Sequence, residues 1–200
     1  MNKLLILIFC FSSLFLVGQD IVVEVEAGIS NFASKDRESI FVPSFGLGAN
    51  YEKSISEKFT ASLGAKINRK GSATERSFGR HAVNLYYIEI PLLFRANLPL
   101  AKVSIHPEFG IYWSRALLVT SSREGMKIEG KKLNETGFSK ADIGMYFGFG
   151  VTTNNLMIML RFSNGLKDIN TFEDVVWKNK IVSLSFRRSL KNFKKINHKL

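Results

Sequence analysis

Apolar and polar residues alternate with a period of two along most of this chain, and that pattern constrains the fold more than any other feature. Successive side chains of a β-strand point to opposite faces, so strict alternation marks a sheet with two unlike faces. Phe41, Pro43, Phe45, Leu47, Ala49 and Tyr51 share one face, against Ser44, Gly46, Gly48, Asn50 and Glu52. Val23 to Ile29 alternates in the same way with Glu24, Glu26, Gly28 and Ser30, and Phe59 to Ile67 with Thr60, Ser62, Gly64, Lys66 and Asn68. Tyr86 to Ala96 opposes Tyr87, Glu89, Pro91, Leu93, Arg95 and Asn97, and Val103 to Trp113 opposes Ser104, His106, Glu108, Gly110, Tyr112 and Ser114. Ile143 to Val151 opposes Asp142, Gly144, Tyr146, Gly148 and Gly150; Leu156 to Phe162 opposes Met157, Met159, Arg161 and Ser163; Val182 to Phe186 opposes Ile181, Ser183, Ser185 and Arg187.

Eight runs of about 9 to 13 residues match the number and length of strands in a small single-chain membrane barrel. A bilayer offers no water to an open sheet edge, so a sheet placed there closes on itself. The connections alternate in length as well. Ser54–Glu57, Leu98–Leu100 and Thr152–Asn155 are short, whereas Asn31–Ile40, Arg69–Ala82, Leu117–Ser139 and Gly165–Asn179 are long. Short periplasmic turns and longer outer loops are the layout of an outer-membrane protein, and they put both termini on the periplasmic side. The expected fold is an all-β, eight-stranded antiparallel up-and-down transmembrane β-barrel.

Three segments are expected: a signal peptide over 1–19, the barrel over 20–188 and a basic tail over 189–200. Lys3 precedes the apolar run Leu4 to Val17, and the small Gly18 suits a peptidase cut near Gly18 or Gln19. That run is shorter than the roughly 20 residues of a spanning helix. The one cysteine, Cys10, leaves with the signal, so no disulfide or thiolate chemistry is expected of the exported protein. Arg187, Arg188, Lys191, Lys194, Lys195 and Lys199 close a chain of formal charge +11. In an exported protein such a tail points to an anionic surface or to plain solvation; no nucleic-acid-binding motif accompanies it.

Alternation does not by itself say which face looks outward, and a soluble eight-stranded calyx is the rival architecture. Glycines gather on the polar face (Gly46, Gly48, Gly64, Gly110, Gly144, Gly148 and Gly150), where side chains converge inside a narrow barrel. Phe41, Tyr51, Phe59, Tyr86, Phe94 and Trp113 fall near run ends, as interfacial girdles do. Both features favour an apolar face toward lipid. The polar face then carries Lys66, Glu89, Arg95, His106, Glu108, Asp142, Arg161 and Arg187 into a tight lumen, where charges must be paired. Glu89 and Glu108 are expected to face Arg161, Arg187 or Arg95. An eight-stranded interior is just filled by side chains, which favours a structural plug over an ion pathway.

Catalysis is not expected. Ser104, His106 and Glu108 share a face, but residues two apart on a strand stand roughly 7 Å from one another, too far for the direct hydrogen bonds of a triad. A lipid hydrolase would need partners from other strands. His81, His106 and His198 lack metal-ligand spacing, and no cofactor is implied. The alternating glycines are no phosphate loop, because no helix follows them. The Leu117–Ser139 loop reads equally as a partner-binding surface or as a solvated loop.

The run Tyr86-Tyr87-Ile88-Glu89-Ile90-Pro91-Leu92-Leu93 resembles the (L/I)E(I/L)P signature of the PorT-like outer-membrane β-barrel family of Bacteroidota. Asp142 and Gly144 followed by Gly148, Gly150, Arg161 and Gly165 to Ile169 are similar to that family's later strands, and Val182 to Phe186 to its last. The resemblance implies an eight-stranded outer-membrane barrel with no single activity; the namesake is linked to protein secretion. Expected partners are outer-membrane lipid and, through outer loops or tail, other envelope proteins. A small pore or ligand-binding barrel is the alternative. The basic tail after the last strand departs from the family pattern of ending on an aromatic residue.

Overall fold

The computed structural model describes residues 19–34, 38–76, 79–100, 103–123, 126–128, 137–153, 156–171 and 176–190. Eight long strands make the wall: β1 (Gln19–Ala33), β2 (Val42–Ser54), β3 (Phe59–Arg76), β4 (Gly79–Ala96), β6 (Val103–Arg123), β8 (Ala141–Thr153), β9 (Leu156–Gly165) and β10 (Lys178–Ser189). Two short strands, β5 (Leu98–Leu100) and β7 (Met126–Ile128), each pair with β6. Every pairing is antiparallel. Chain neighbours lie side by side, β1 pairs with β10, and β4 pairs with β6, so over the height that the eight long strands share the sheet has no free edge. The barrel is closed, antiparallel and up-and-down. The expected leader, all but its last residue, and the tail beyond Leu190 lie outside the described residues.

Burial follows the alternation. Leu47, Ile67, Phe109, Ile111, Phe147, Phe149, Phe162 and Leu184 are exposed on the outer wall, while the residues between them point inward and are largely buried. The apolar face is therefore the exterior. Phe94, Phe109, Phe147 and Phe162 stand in mutual register across β4, β6, β8 and β9, an aromatic row along a continuous apolar band. Phe94 and Phe109 stack with centroids 5.6 Å apart.

The strands are taller at one end than the sequence pattern predicts. Most of the stretch 69–82, expected as a loop, is paired strand: β3 and β4 stay in register up to Arg76 opposite Gly79. Gly79 has φ of 95°, a conformation that costs a residue with a Cβ and is open to glycine. Likewise β6 runs on to Arg123 through the expected Leu117–Ser139 loop and turns back as β7. A bulge accompanies this extension. Tyr86 faces Leu118 and Tyr87 faces Ala116, leaving Leu117 as the extra residue. The inward parity of β6 changes there, from Ser114 and Ala116 to Val119, as an inserted residue requires. At the other end, the Leu98–Leu100 turn is itself a short strand against Val103 to Ile105.

Leu47 is exposed in mid-strand, in register with Val25 and Ile67. Leu47→Arg therefore places a cation against the hydrocarbon, and unfolding from lipid vesicles should show a loss of about 2–4 kcal/mol. Loss of less than half a kcal/mol would be incompatible with a lipid-facing site.

Candidate functional site in the barrel interior

The inward residues of the eight strands carry buried charges in layers between the short-turn end and the long-loop end. Nearest the short turns, Arg95 on β4 forks onto Glu52 on β2, with Nη1 2.8 Å from Oε1 and Nη2 2.5 Å from Oε2. His106 lies in the same layer. Asn97 Oδ1 is 3.0 Å from its Nδ1 and Thr152 Oγ1 is 2.8 Å from its Nε2. The amide oxygen can only accept, so Nδ1 donates to it and Nε2 accepts from the threonine hydroxyl. Both ring nitrogens are thus engaged away from Ser104 and Glu108.

Two arginines and two glutamates form the next layer. Arg161 Nη1 is 2.5 Å from Glu24 and Nη2 is 2.9 Å from Glu108, and Nη1 also lies 3.4 Å from Glu26. Arg187 donates to Glu108 at 2.5 Å through Nη1 and reaches Glu24 at 3.2 Å through Nε. Four strands, β1, β6, β9 and β10, are tied across the lumen by these four side chains. Asn50 supplies a further donor to Glu24 at 2.8 Å.

Lysines replace arginines above this. Lys66 bridges Glu26 at 2.7 Å and Glu89 at 3.3 Å, and donates to Tyr146 at 2.9 Å. Tyr146 in turn donates its hydroxyl to Glu89. Lys70 Nζ is 2.8 Å from Glu89 and 3.5 Å from Asp142. It also stands 4.0 Å above the centre of the Tyr112 ring, whose hydroxyl donates to Asp142 at 3.0 Å. Asn179 donates to the same carboxylate at 2.8 Å.

All eight residues expected in the lumen point inward: Arg95 and His106 in the layer nearest the short turns, the other six in the linked layers above it. The expected partners hold for Glu108 but not for Glu89, which pairs with Lys66 and Lys70. Lys66 sits directly opposite Glu89 in the β3–β4 register, whereas Arg161 is drawn to Glu24, Glu26 and Glu108. Glu24, Glu26, Glu52, Tyr112 and Tyr146 alternate onto the polar face yet stand outside the expected lumen set, and Lys70 falls within the expected 69–82 loop. Hydroxyl-bearing aromatics on the polar face were the available signal. Gly144 belongs with them: a Cβ there would stand 2.4 Å from the Tyr112 ring, so the absence of a side chain is what admits the tyrosine.

The long-loop end of the lumen is apolar. Phe32, Leu85, Tyr87, Ala116 and Val119 from the wall meet Phe138 and Ile169 from the connections, with Val83 and Trp177 packed against them. Phe138 and Trp177 have ring centroids 5.6 Å apart. The two connections are stitched together by backbone bonds from Ser139 to Ile169 (2.7 Å) and from Thr171 to Gly137 (2.8 Å). Asp168 Oδ1 accepts from the backbone N–H groups of Asn170 and Trp177, each at 2.9 Å. Among the described residues no group of three or more His, Cys, Asp or Glu is placed to hold a metal ion.

A closed eight-stranded wall, apolar outside and charged inside, with short turns at one end and taller strands at the other, defines an outer-membrane β-barrel. The chain belongs to the outer membrane protein beta-barrel domain family, whose model matches residues 18–170. Among solved structures it is similar to Neisserial surface protein A, with 17% identity, 86% of this chain and 99% of that chain covered, and a TM-score of 0.51. It is also similar to Ail, the attachment invasion locus protein of Yersinia pestis, with 12% identity, 86% and 99% covered and a TM-score of 0.41. No curated protein matches. The likeness to the Neisserial structure is one of fold. The protein resides in the outer membrane, with its band of apolar side chains in the bilayer.

The interior network predicts an asymmetry between two substitutions. Among the described buried residues six acids (Glu24, Glu26, Glu52, Glu89, Glu108, Asp142) face five fixed cations (Lys66, Lys70, Arg95, Arg161, Arg187). Arg161→Met leaves three glutamates short of a cation and should cost about 3–5 kcal/mol in the unfolding free energy. Glu108→Gln removes the single acid in excess and should cost less than about half of that. Equal losses in urea titrations of the folded barrel would refute this accounting of the charges.

Proposed function

We propose that this protein is a non-enzymatic barrel of the PorT-like kind, exported by the signal peptide 1–19, with a structural or accessory role in the envelope that serves secretion. Its lumen is closed by its own side chains. The observation that carries this reading is the lateral continuity of the charged network. Arg161, Arg187, Glu24 and Glu108 span from wall to wall and are all buried, and Tyr112, Tyr146 and Leu93 fill the space beside them. An ion passing through would have to break several charge-assisted hydrogen bonds at once. The apolar cluster around Phe138 and Trp177 adds a second barrier at the outer mouth. Envelope partners then meet the protein through its outer connections or its basic tail.

The non-enzymatic reading is supported by His106, whose two ring nitrogens are held by Asn97 and Thr152. A general base needs one nitrogen free toward a nucleophile. Glu108 is likewise committed to two arginines.

Three measurements test these readings. Purified protein reconstituted in a planar bilayer should give no steady single-channel conductance; a stable open level would instead assign a pore. His106→Ala should leave outer-membrane lipid composition unchanged, and an altered acyl-chain profile would revive the hydrolase. Intact-mass analysis of protein from outer membranes should place the mature N-terminus at Gln19 or Asp20.

A further inference from the structure

Three cations gather on one side of the outer rim. Arg115 on β6, Lys140 just before β8 and Lys167 just after β9 are all exposed. Arg115 is in register with Ala141, the residue after Lys140, and the Lys140 carbonyl accepts from Ala116 N–H at 2.7 Å. Leu166 and Lys167 both aim their N–H groups at the Ile143 carbonyl, at 2.7 and 3.4 Å. The backbone thus brings the three residues to one height on adjacent strands, within roughly 10 Å at ordinary strand spacing. Lys180, exposed on β10 beside Asn164, continues the positive field.

None of the three has an ion-pair partner among the described residues. Of the nearby described carboxylates, Asp142 points into the lumen, and Asp168 Oδ1 accepts two backbone N–H groups. Immediately toward the bilayer lie Trp113 and Ile143, in register and exposed, with Leu166 exposed alongside. On β8 and β9 the exposed apolar side chains end at this height, whereas on β6 Leu117 and Leu118 beyond Arg115 are exposed as well, so the patch sits at the upper margin of the apolar band, at headgroup depth. The opposite wall differs. Ile29, Phe45 and Ile67 are apolar there, and the Arg69 guanidinium is tied to Asn84 Oδ1 at 2.8 Å.

We propose that this patch seats the phosphorylated headgroup of an outer-leaflet glycolipid. The charge is complementary, and the depth is that of the phosphates. Arg115 offers a planar fork for a phosphate, with two lysines as flanking point charges. Acyl chains of the same molecule would lie on Trp113, Ile143 and Leu166. The patch is at the long-loop end, which faces the leaflet built from such glycolipids, and this selects them over a phospholipid.

The test uses the folded full-length protein in neutral detergent, titrated with bis-phosphorylated lipid A. Saturable binding is expected, and Arg115→Gln/Lys140→Gln/Lys167→Gln should weaken it by roughly 30- to 100-fold. Lys53→Gln/Lys58→Gln, at the other end of the barrel, should change it by less than about twofold. Heat-modifiable migration on a gel checks that each variant is folded; if the triple variant is not, Lys167→Gln alone should still weaken binding by about fivefold. Unchanged affinity in the folded triple variant overturns the proposal. So does equal wild-type affinity for dephosphorylated lipid A or for phosphatidylglycerol, since either removes the phosphorylated glycolipid as the occupant.

Discussion

In hydrocarbon a backbone N–H or C=O without a partner costs several kcal/mol, and no water is at hand to supply one. The β4–β6 pairing meets that constraint by closing the sheet. Closure of eight strands then makes the interior narrow, and narrowness decides what can occupy it. Long charged side chains that would spread into water on an open sheet are instead pressed against one another. They survive there only as mutual partners, which is why Arg161 touches three carboxylates and Glu89 is held by two lysines. Among the described residues the buried side chains carry six acids against five cations, so the lumen they line holds none of the chain's positive excess.

Such a network is poor evidence of stability in itself, since desolvating each charge offsets much of what pairing returns. Its value lies in specification. A one-residue slip between neighbouring strands would turn every inward side chain toward lipid. With apolar residues alone on both faces that error would be cheap. With Glu24, Glu26, Lys66, Lys70 and Arg161 on one face it would put several charges into the bilayer, so the correct register is separated from its neighbours by a wide gap. The glycines serve the same end sterically. At Gly144 there is no room for a side chain next to Tyr112, and any other register would lose that fit.

Within the bilayer the fold was legible because lipid imposes the alternation: each strand is sorted by an apolar solvent on one side and a polar lumen on the other. Above the bilayer that sorting stops. Residues 69–76 and 79–84 remain paired strands, yet Gly71, Ser72, Thr74 and Glu75 read as a loop, because both faces there meet polar surroundings or short-range contacts. Lys70 was missed with them, since it lies at the edge of that stretch. The individual ion pairs were legible only in part, as partner choice depends on stagger around the barrel, which periodicity does not encode. Phe138, Ile169 and Trp177 were invisible for a different reason: Phe138 and Ile169 are lone apolar residues in polar connections, Trp177 closes a short apolar run with no alternation, and only tertiary contact gives each a place.

The outer end shows what the surplus height achieves. Strands β3, β4 and β6 are 18, 18 and 21 residues long, whereas β8, β9 and β10 are 13, 10 and 12. A tilted strand needs about 9–11 residues to cross the hydrocarbon, so the first group stands well above it and the second ends near its surface. The connections on the low side bend toward the high side, and Phe138, Ile169 and Trp177 land on Leu85, Ala116 and Val119. A barrel with level strands would offer these apolar side chains no wall to rest on. Lys140 and Lys167 stand exposed where the low strands β8 and β9 end, at the height of Arg115 on β6, and that is where the proposed headgroup would meet them. Capping the lumen and exposing a basic rim are thus two results of one asymmetry in strand length.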